Sequence, residues 1–177
     1  CIPFRIFSIT SSFVSYKGFH VLLRAAAILR RQYPMLKVVL AGSISYRLRA
    51  DGYTKFLRKL VIELGLQESV DWIGPLKAYE IVDQFKMANV VIIPSFVESY
   101  CLSLDEALTV GVPVVASYAG AMPELASNDS SALFFPPGYS VLCAEKVSRV
   151  FSEKDLAEYL SVTAYKERRK ATPDSII

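Results

Sequence analysis

Short runs made almost wholly of apolar side chains recur along the chain: KVVLAG (37–42), NVVIIP (89–94), VPVVAS (112–117) and ALFFPP (132–137). A strand with one wet face alternates polar and apolar residues, whereas a strand apolar at every position is covered on both faces. Between these runs lie segments with helical spacing. FHVLLRAAAILRRQY places Phe19, Leu22, Leu23, Ala26 and Leu29 on one side and is stopped by Pro34. YTKFLRKLVIELG repeats Phe56, Leu57, Leu60, Val61 and Leu64 before Gly65, and AYEIVDQFKMA turns Ile81, Val82 and Phe85 inward. RIFSIT and VDWIG read as two further strands, SLDEALTVG as a helix closed by Gly111, and YSVLCAEKVSRVF as a helix. SEKDLAEYLSVTAYKERRK reads as a last helix, opened by a capping box of Ser152 and Asp155. Strand and helix in alternation specify a parallel sheet of about six strands with right-handed crossovers. The expected fold is a Rossmann-like, three-layer α/β/α domain.

The 177 residues suit one domain, 1–177, with its core over about 4–150 and C-terminal helices over about 139–170. A hydrophobic content of 53% and a mean hydropathy of +0.33 exclude disorder. No apolar run reaches bilayer length, and the start, CIPFRIFSIT, has neither a basic head nor a cleavage site. It also lacks an initiator Met, which points to a piece of a longer chain. With 20 basic and 17 acidic residues, the net charge of +3 makes no electrostatic stripe for nucleic acid. Cys1, Cys101 and Cys143 are far apart and odd in number, so they imply neither a disulfide framework nor a zinc site and fit a reducing cytosol. His20 is the only histidine and reads as a helix-surface residue, which rules out sites built on several imidazoles within this chain.

The stretch PSFVESYCLSLDEALTVGVPVVASYAGAMPEL (94–125) sets two acids eight residues apart after a strand. Pro94 ends the strand, Glu98 lies in the loop, and Glu106 comes about one turn into the next helix. Ligands of open parallel sheets sit outside the carboxyl ends of the strands, so both acids are expected on one rim. A carboxylate there can accept from both members of a vicinal diol. Taken singly, each acid is equally an ordinary solvated or dipole-compensating residue.

The same stretch resembles the signature of retaining GT-B glycosyltransferases of the family 4-like group, P-S-x-x-E-G-F-G-L-x-x-x-E-A-x-x-x-G-x-P-V-V-A-S-x-x-G-G-x-P-E. Pro94, Ser95, Glu98, Leu102, Glu106, Ala107, Gly111, Pro113, Ser117, Gly120, Pro123 and Glu124 are among the matches. YKGFHVLLRAAAIL upstream is similar to the family's lysine-glycine helix start, and the resemblance covers about residues 4–160. It implies one half of a GT-B fold, the domain that binds a nucleotide-sugar donor, with the acceptor-binding N-terminal domain absent. The implied activity is transfer of a hexose, with retention, from a UDP-, GDP- or ADP-linked sugar to a glycan or lipid-linked acceptor. The resemblance implies no cofactor, no metal ion and no nucleic acid. A cytoplasmic setting follows, with peripheral membrane association as a second expectation; KERRK (166–170) is read first as complementing its helix C-terminus.

Carried over by position, the resemblance implies catalytic roles for Lys17, at the leaving diphosphate, and Glu98, at the transferred sugar. Glu106 would accept from the ribose hydroxyls. Ser12, Gly42, Gly74, Leu76, Ser99, Tyr100, Cys101 and Leu102 complete the implied donor-binding set. The chain departs from the pattern where Ser11 and Ser12 stand in place of an arginine before the lysine, leaving Arg47 or Arg49 as a substitute cation. Ser99, Cys101 and Ala121 replace glycines of the motif, which implies a narrower donor pocket. Two function classes follow: an enzyme domain, or a nucleotide-sugar binding module in which catalysis is lost. A nucleotide-sugar epimerase of related architecture is a third.

Overall fold

The structure, a computed structural model, describes residues 4–43 and 48–171. Six strands, β1 (Arg5–Ser12), β2 (Lys37–Ser43), β3 (Val70–Gly74), β4 (Val90–Ile93), β5 (Val114–Ser117) and β6 (Leu133–Phe135), form one sheet in the order β3-β2-β1-β4-β5-β6. All neighbouring strands are parallel. The connecting helices are α1 (Phe19–Arg30), α2 (Leu48–Glu63), α3 (Ala78–Met87), α4 (Leu102–Val110), α5 (Met122–Leu125), α6 (Ser140–Ser152) and α7 (Lys154–Ala171). The expected parallel, doubly covered sheet is therefore present, and its strand order reverses between β1 and β4, where such sheets open a crevice.

The wholly apolar strands divide their side chains between two cores. Ile6, Val38, Leu40, Val90 and Ile92 pack under α1, α2 and α6 with Leu22, Leu57 and Val147. Their neighbours Phe7, Val39, Ala41, Val91 and Ile93 pack on the other face with Phe85, Leu104 and Leu108 of α3 and α4. Successive strand residues point to opposite faces, so one dipeptide serves two layers. Each fully buried Leu, Ile, Val or Phe contributes about 1.5–3 kcal/mol.

Several expectations need correction. α2 begins at Leu48, inside a stretch that reads as loop because its first turns are polar and carry Gly52. Phe56 and Val82, expected inward, are exposed. Ser152 does not open α7; its hydroxyl donates to the Ser148 carbonyl at 2.8 Å and finishes α6. The one-turn α5 and a 3₁₀ turn at Ser15–Lys17 are too short to show a period.

His20 is not simply a helix-surface residue. It is half-buried, its Nδ1 lies 2.8 Å from the Tyr53 hydroxyl of α2, and its ring stacks on Phe96 at 5.6 Å between centroids. Burial, with a smaller contribution from Arg24, lowers its pKa below the usual 6.5, and burial pushes Tyr53 up to about 12. A base whose folded pKa is depressed is charged more readily in the unfolded chain, so its contribution to stability is lost as pH falls below the unfolded value. Urea unfolding on either side of pH 6.5 should show this loss in the wild type, and His20→Gln should reduce the pH dependence.

Candidate functional site

The loops after β1, β2, β3 and β4 open on a cavity of about 490 Å³ at the carboxyl edge of the sheet. Lys17, Glu98 and Glu106 all line it, although they come from three different segments. Gly42, Leu76, Ser99, Tyr100, Cys101 and Leu102 line it as well. Two expected members do not. Ser12 lies at the end of β1, where its N–H donates to Thr10 Oγ1 at 3.3 Å, and Ser11 takes its place in the lining. Gly74 ends β3 with φ 73°, and the next residue, Pro75, reaches the cavity instead. Thr10, Ser43, Ile81 and Ser103 also contribute, and nothing in the motif singles them out.

The Lys17 ammonium donates to Glu98 Oε1 at 2.8 Å, with 23% and 9% of the two side chains exposed. Ser95, itself buried, donates its hydroxyl to the same oxygen at 2.6 Å. Glu98 Oε2 accepts no hydrogen bond among the described residues. The Glu106 carboxylate likewise has no hydrogen bond or ion pair among the described residues. Although Glu106 is exposed at the rim, desolvation of its carboxyl, reinforced by the neighbouring Asp105 charge, raises its pKa from the ordinary glutamate value.

Asp105 itself is engaged. Arg168 Nε of α7 lies 3.2 Å from its Oδ1, and Arg168 also donates to the Leu125 carbonyl. One member of the basic run thus bridges α7 to α4 and α5, besides standing in the last turn of its own helix. Arg169 instead lies over the Tyr165 ring at 5.6 Å.

Two turns approach the main chain after β4 so closely that only glycine fits. A Cβ on Gly120 would stand 1.8 Å from the Glu98 carbonyl oxygen, at φ +54°. A Cβ on Gly18, next to Lys17, would stand 2.0 Å from the Pro94 carbonyl oxygen, at φ +69°. The Ala121 N–H donates to the same Glu98 carbonyl at 3.3 Å, and Phe96 N–H donates to Tyr16 at 2.7 Å. The turns after β1 and β5 therefore clamp the β4 loop by main-chain contact.

Cys101 caps α4 with φ 77° and ψ 70°, a left-handed conformation that costs a non-glycine residue about 1 kcal/mol or more. The backbone thus keeps the geometry of the glycine that the motif carries there. The first N–H groups of α4 lack partners within the helix and give the cavity a positive end. Of the substituted motif glycines, Ser99 and Cys101 line the cavity whereas Ala121 does not. Lys17 is the one cation in the described lining. Arg47 and the side chain of Arg49 lie outside the described residues.

Gly120→Ala should destabilise the chain by at least about 2 kcal/mol, through left-handed strain and the clash with Glu98. Gly52→Ala, in an exposed turn of α2 with open space around it, should stabilise by about 0.5–1 kcal/mol. Chemical denaturation of both variants checks the contrast.

Residues 4–167 match the family model described as glycosyl transferases group 1. A D-inositol 3-phosphate glycosyltransferase of Corynebacterium urealyticum is 33% identical over 151 residues, covering 81% of this chain and 35% of that protein. An MMP alpha-(1->4)-mannosyltransferase of Mycolicibacterium hassiacum is 36% identical over 126 residues, covering 71% of this chain and 28% of that protein. The chain thus spans about a third of the length of these relatives. Among solved structures, Anabaena Alr3699/HepE in complex with UDP-glucose superposes with a TM-score of 0.88 at 22% identity, over 96% of this chain and 44% of that one. The C-terminal domain of LpcC, a glycosyl transferase group 1 family protein from Francisella tularensis, superposes with a TM-score of 0.84 at 25% identity, over 96% and 87%. With the family model spanning nearly its whole length, the chain belongs to the group 1 glycosyl transferases.

Proposed function

We propose that the chain is the donor-binding part of a retaining glycosyltransferase that moves a hexose from a nucleotide-diphosphate sugar to a glycan or glycolipid acceptor. The observation that carries this reading is the convergence of Lys17, Glu98 and Glu106 on one cavity beside the N-terminus of α4. Lys17 and the first N–H groups of α4 take the diphosphate, Glu106 accepts from the ribose diol, and Glu98 accepts from a sugar hydroxyl. The acceptor is held by a domain outside this chain, in the cytoplasm or at the inner face of a membrane. Among the described residues, no helix is long and apolar enough to cross a membrane.

In the reaction, the bond from the anomeric carbon to the diphosphate oxygen breaks and its electron pair stays on the phosphate. The acceptor oxygen attacks on the same face and its proton passes to the departing phosphate. Once the donor is bound, the charge that develops there is met by an ammonium and by oriented N–H groups already in place, which costs no further reorganisation at the moment of reaction. The reading asks for no metal ion. A binding module without turnover is the second reading, favoured because Lys17 is the one cation in the described lining and is already paired with Glu98.

Calorimetry with UDP-, GDP- and ADP-linked sugars tests the donor site. One nucleotide class should bind, and Glu106→Ala should weaken it about 10- to 100-fold, as expected for lost hydrogen bonds to a charged acceptor. Because the Glu106 pKa is raised, acidification should protonate it early and weaken binding before an ordinary glutamate would. No binding at millimolar concentration would refute the donor-site reading. Turnover by the full-length protein separates the enzyme from the binding module.

A further inference from the structure

Glu98 has two claimants on one oxygen. Lys17 Nζ and Ser95 Oγ both donate to Oε1, at 2.8 and 2.6 Å. In the proposed function Lys17 also serves the diphosphate, so on donor binding its ammonium is drawn from the carboxylate toward the phosphate. If it were the sole anchor, Glu98 would lose its orientation as the sugar arrives, leaving a carboxylate only 9% exposed without a partner. Ser95 removes this conflict. It is 2% exposed and does not line the cavity, so its hydroxyl cannot be drawn off by the ligand.

Ser95 is itself held from behind. Its carbonyl accepts from the buried hydroxyl of Ser117 on β5, which also reaches the Ile93 carbonyl at 3.4 Å. The Glu98 carbonyl is gripped separately by Gly120 and Ala121. Main chain and one carboxylate oxygen are thus fixed without Lys17, and Oε2 keeps its full acceptor capacity. We infer that Ser95 is a positioning residue: it holds Glu98 Oε1 while Lys17 engages the diphosphate, so that Oε2 alone receives a donor sugar hydroxyl. The inference rests on the donor-site reading above and adds a residue that touches no ligand.

The test compares the Kd of UDP with that of UDP-glucose, because Ser95 should matter for the sugar and not for the nucleotide. Ser95→Ala should change the ratio of the two constants about tenfold, in the direction that Glu98→Ala changes it, while leaving the UDP constant within about twofold. In the Glu98→Ala background, Ser95→Ala should have no further effect on the ratio, as for residues that act as a unit. Ser95→Cys, similar in size but a weaker donor, should give an intermediate ratio and serves in place of the alanine variant should that fail to fold. An unchanged ratio, equal loss for both ligands, or additive effects in the double variant would overturn the inference while leaving the donor site intact. Where only GDP or ADP binds, the same comparison is made with that nucleotide and its sugar conjugate. Failure of the wild type to bind any of the three nucleotides, free or sugar-linked, would refute the donor-site reading itself, and the role of Ser95 with it.

Discussion

Lys17 and Glu98 stand 81 residues apart in the chain and 2.8 Å apart in space. Neither side chain could hold the other on its own: an ion pair at a partly open rim contributes little once the two side chains must be ordered for it. The pair forms because β1 and β4 are neighbours and the loops behind them are locked at the main chain. Gly18 lies under Pro94, and Gly120 lies under Glu98. The geometry of the rim is thus a property of backbone packing, and the charges occupy positions already chosen for them.

This origin accounts for what was legible in the sequence. A parallel sheet covered on both faces needs strands without polar alternation, and that requirement is visible in VVII and VVAS without any partner being known. Glu98 and Glu106 could be assigned to one rim because the end of a strand and the start of a helix fix where residues near them point. Lys17 is singled out only by the lysine-glycine start of the family resemblance, and the structure gives that glycine a physical cause in the close approach of Pro94. Ser12 and Gly74 each stand one residue from a lining residue, since a strand end and a turn do not specify which neighbour faces a cavity.

The rest depended on contacts with no local trace. Ser95 is one match of the motif among many, and nothing local shows that its hydroxyl bonds a carboxylate three residues on or that its carbonyl accepts from a β5 hydroxyl 22 residues on. His20 looks like a surface residue until Tyr53 and Phe96 close over it from two other segments. The start of α2 was hidden because its first turns are polar, and Val82 sits on α3 where sequence spacing alone overstates the buried arc. Ser152 stands between two helices, and its hydroxyl bonds back to the Ser148 carbonyl of α6.

The link from Arg168 to Asp105 extends the site beyond its own loops. Asp105 is the neighbour whose charge helps raise the proton affinity of Glu106, and Arg168 is the cation set against that charge. The end of the last helix therefore reaches the residue next to a rim acid. Trimming the chain before Arg168 would remove this pin of α7 to α4 and α5 and leave the Asp105 carboxylate at the rim without that cation, so end-trimmed versions of this domain are not equivalent to it.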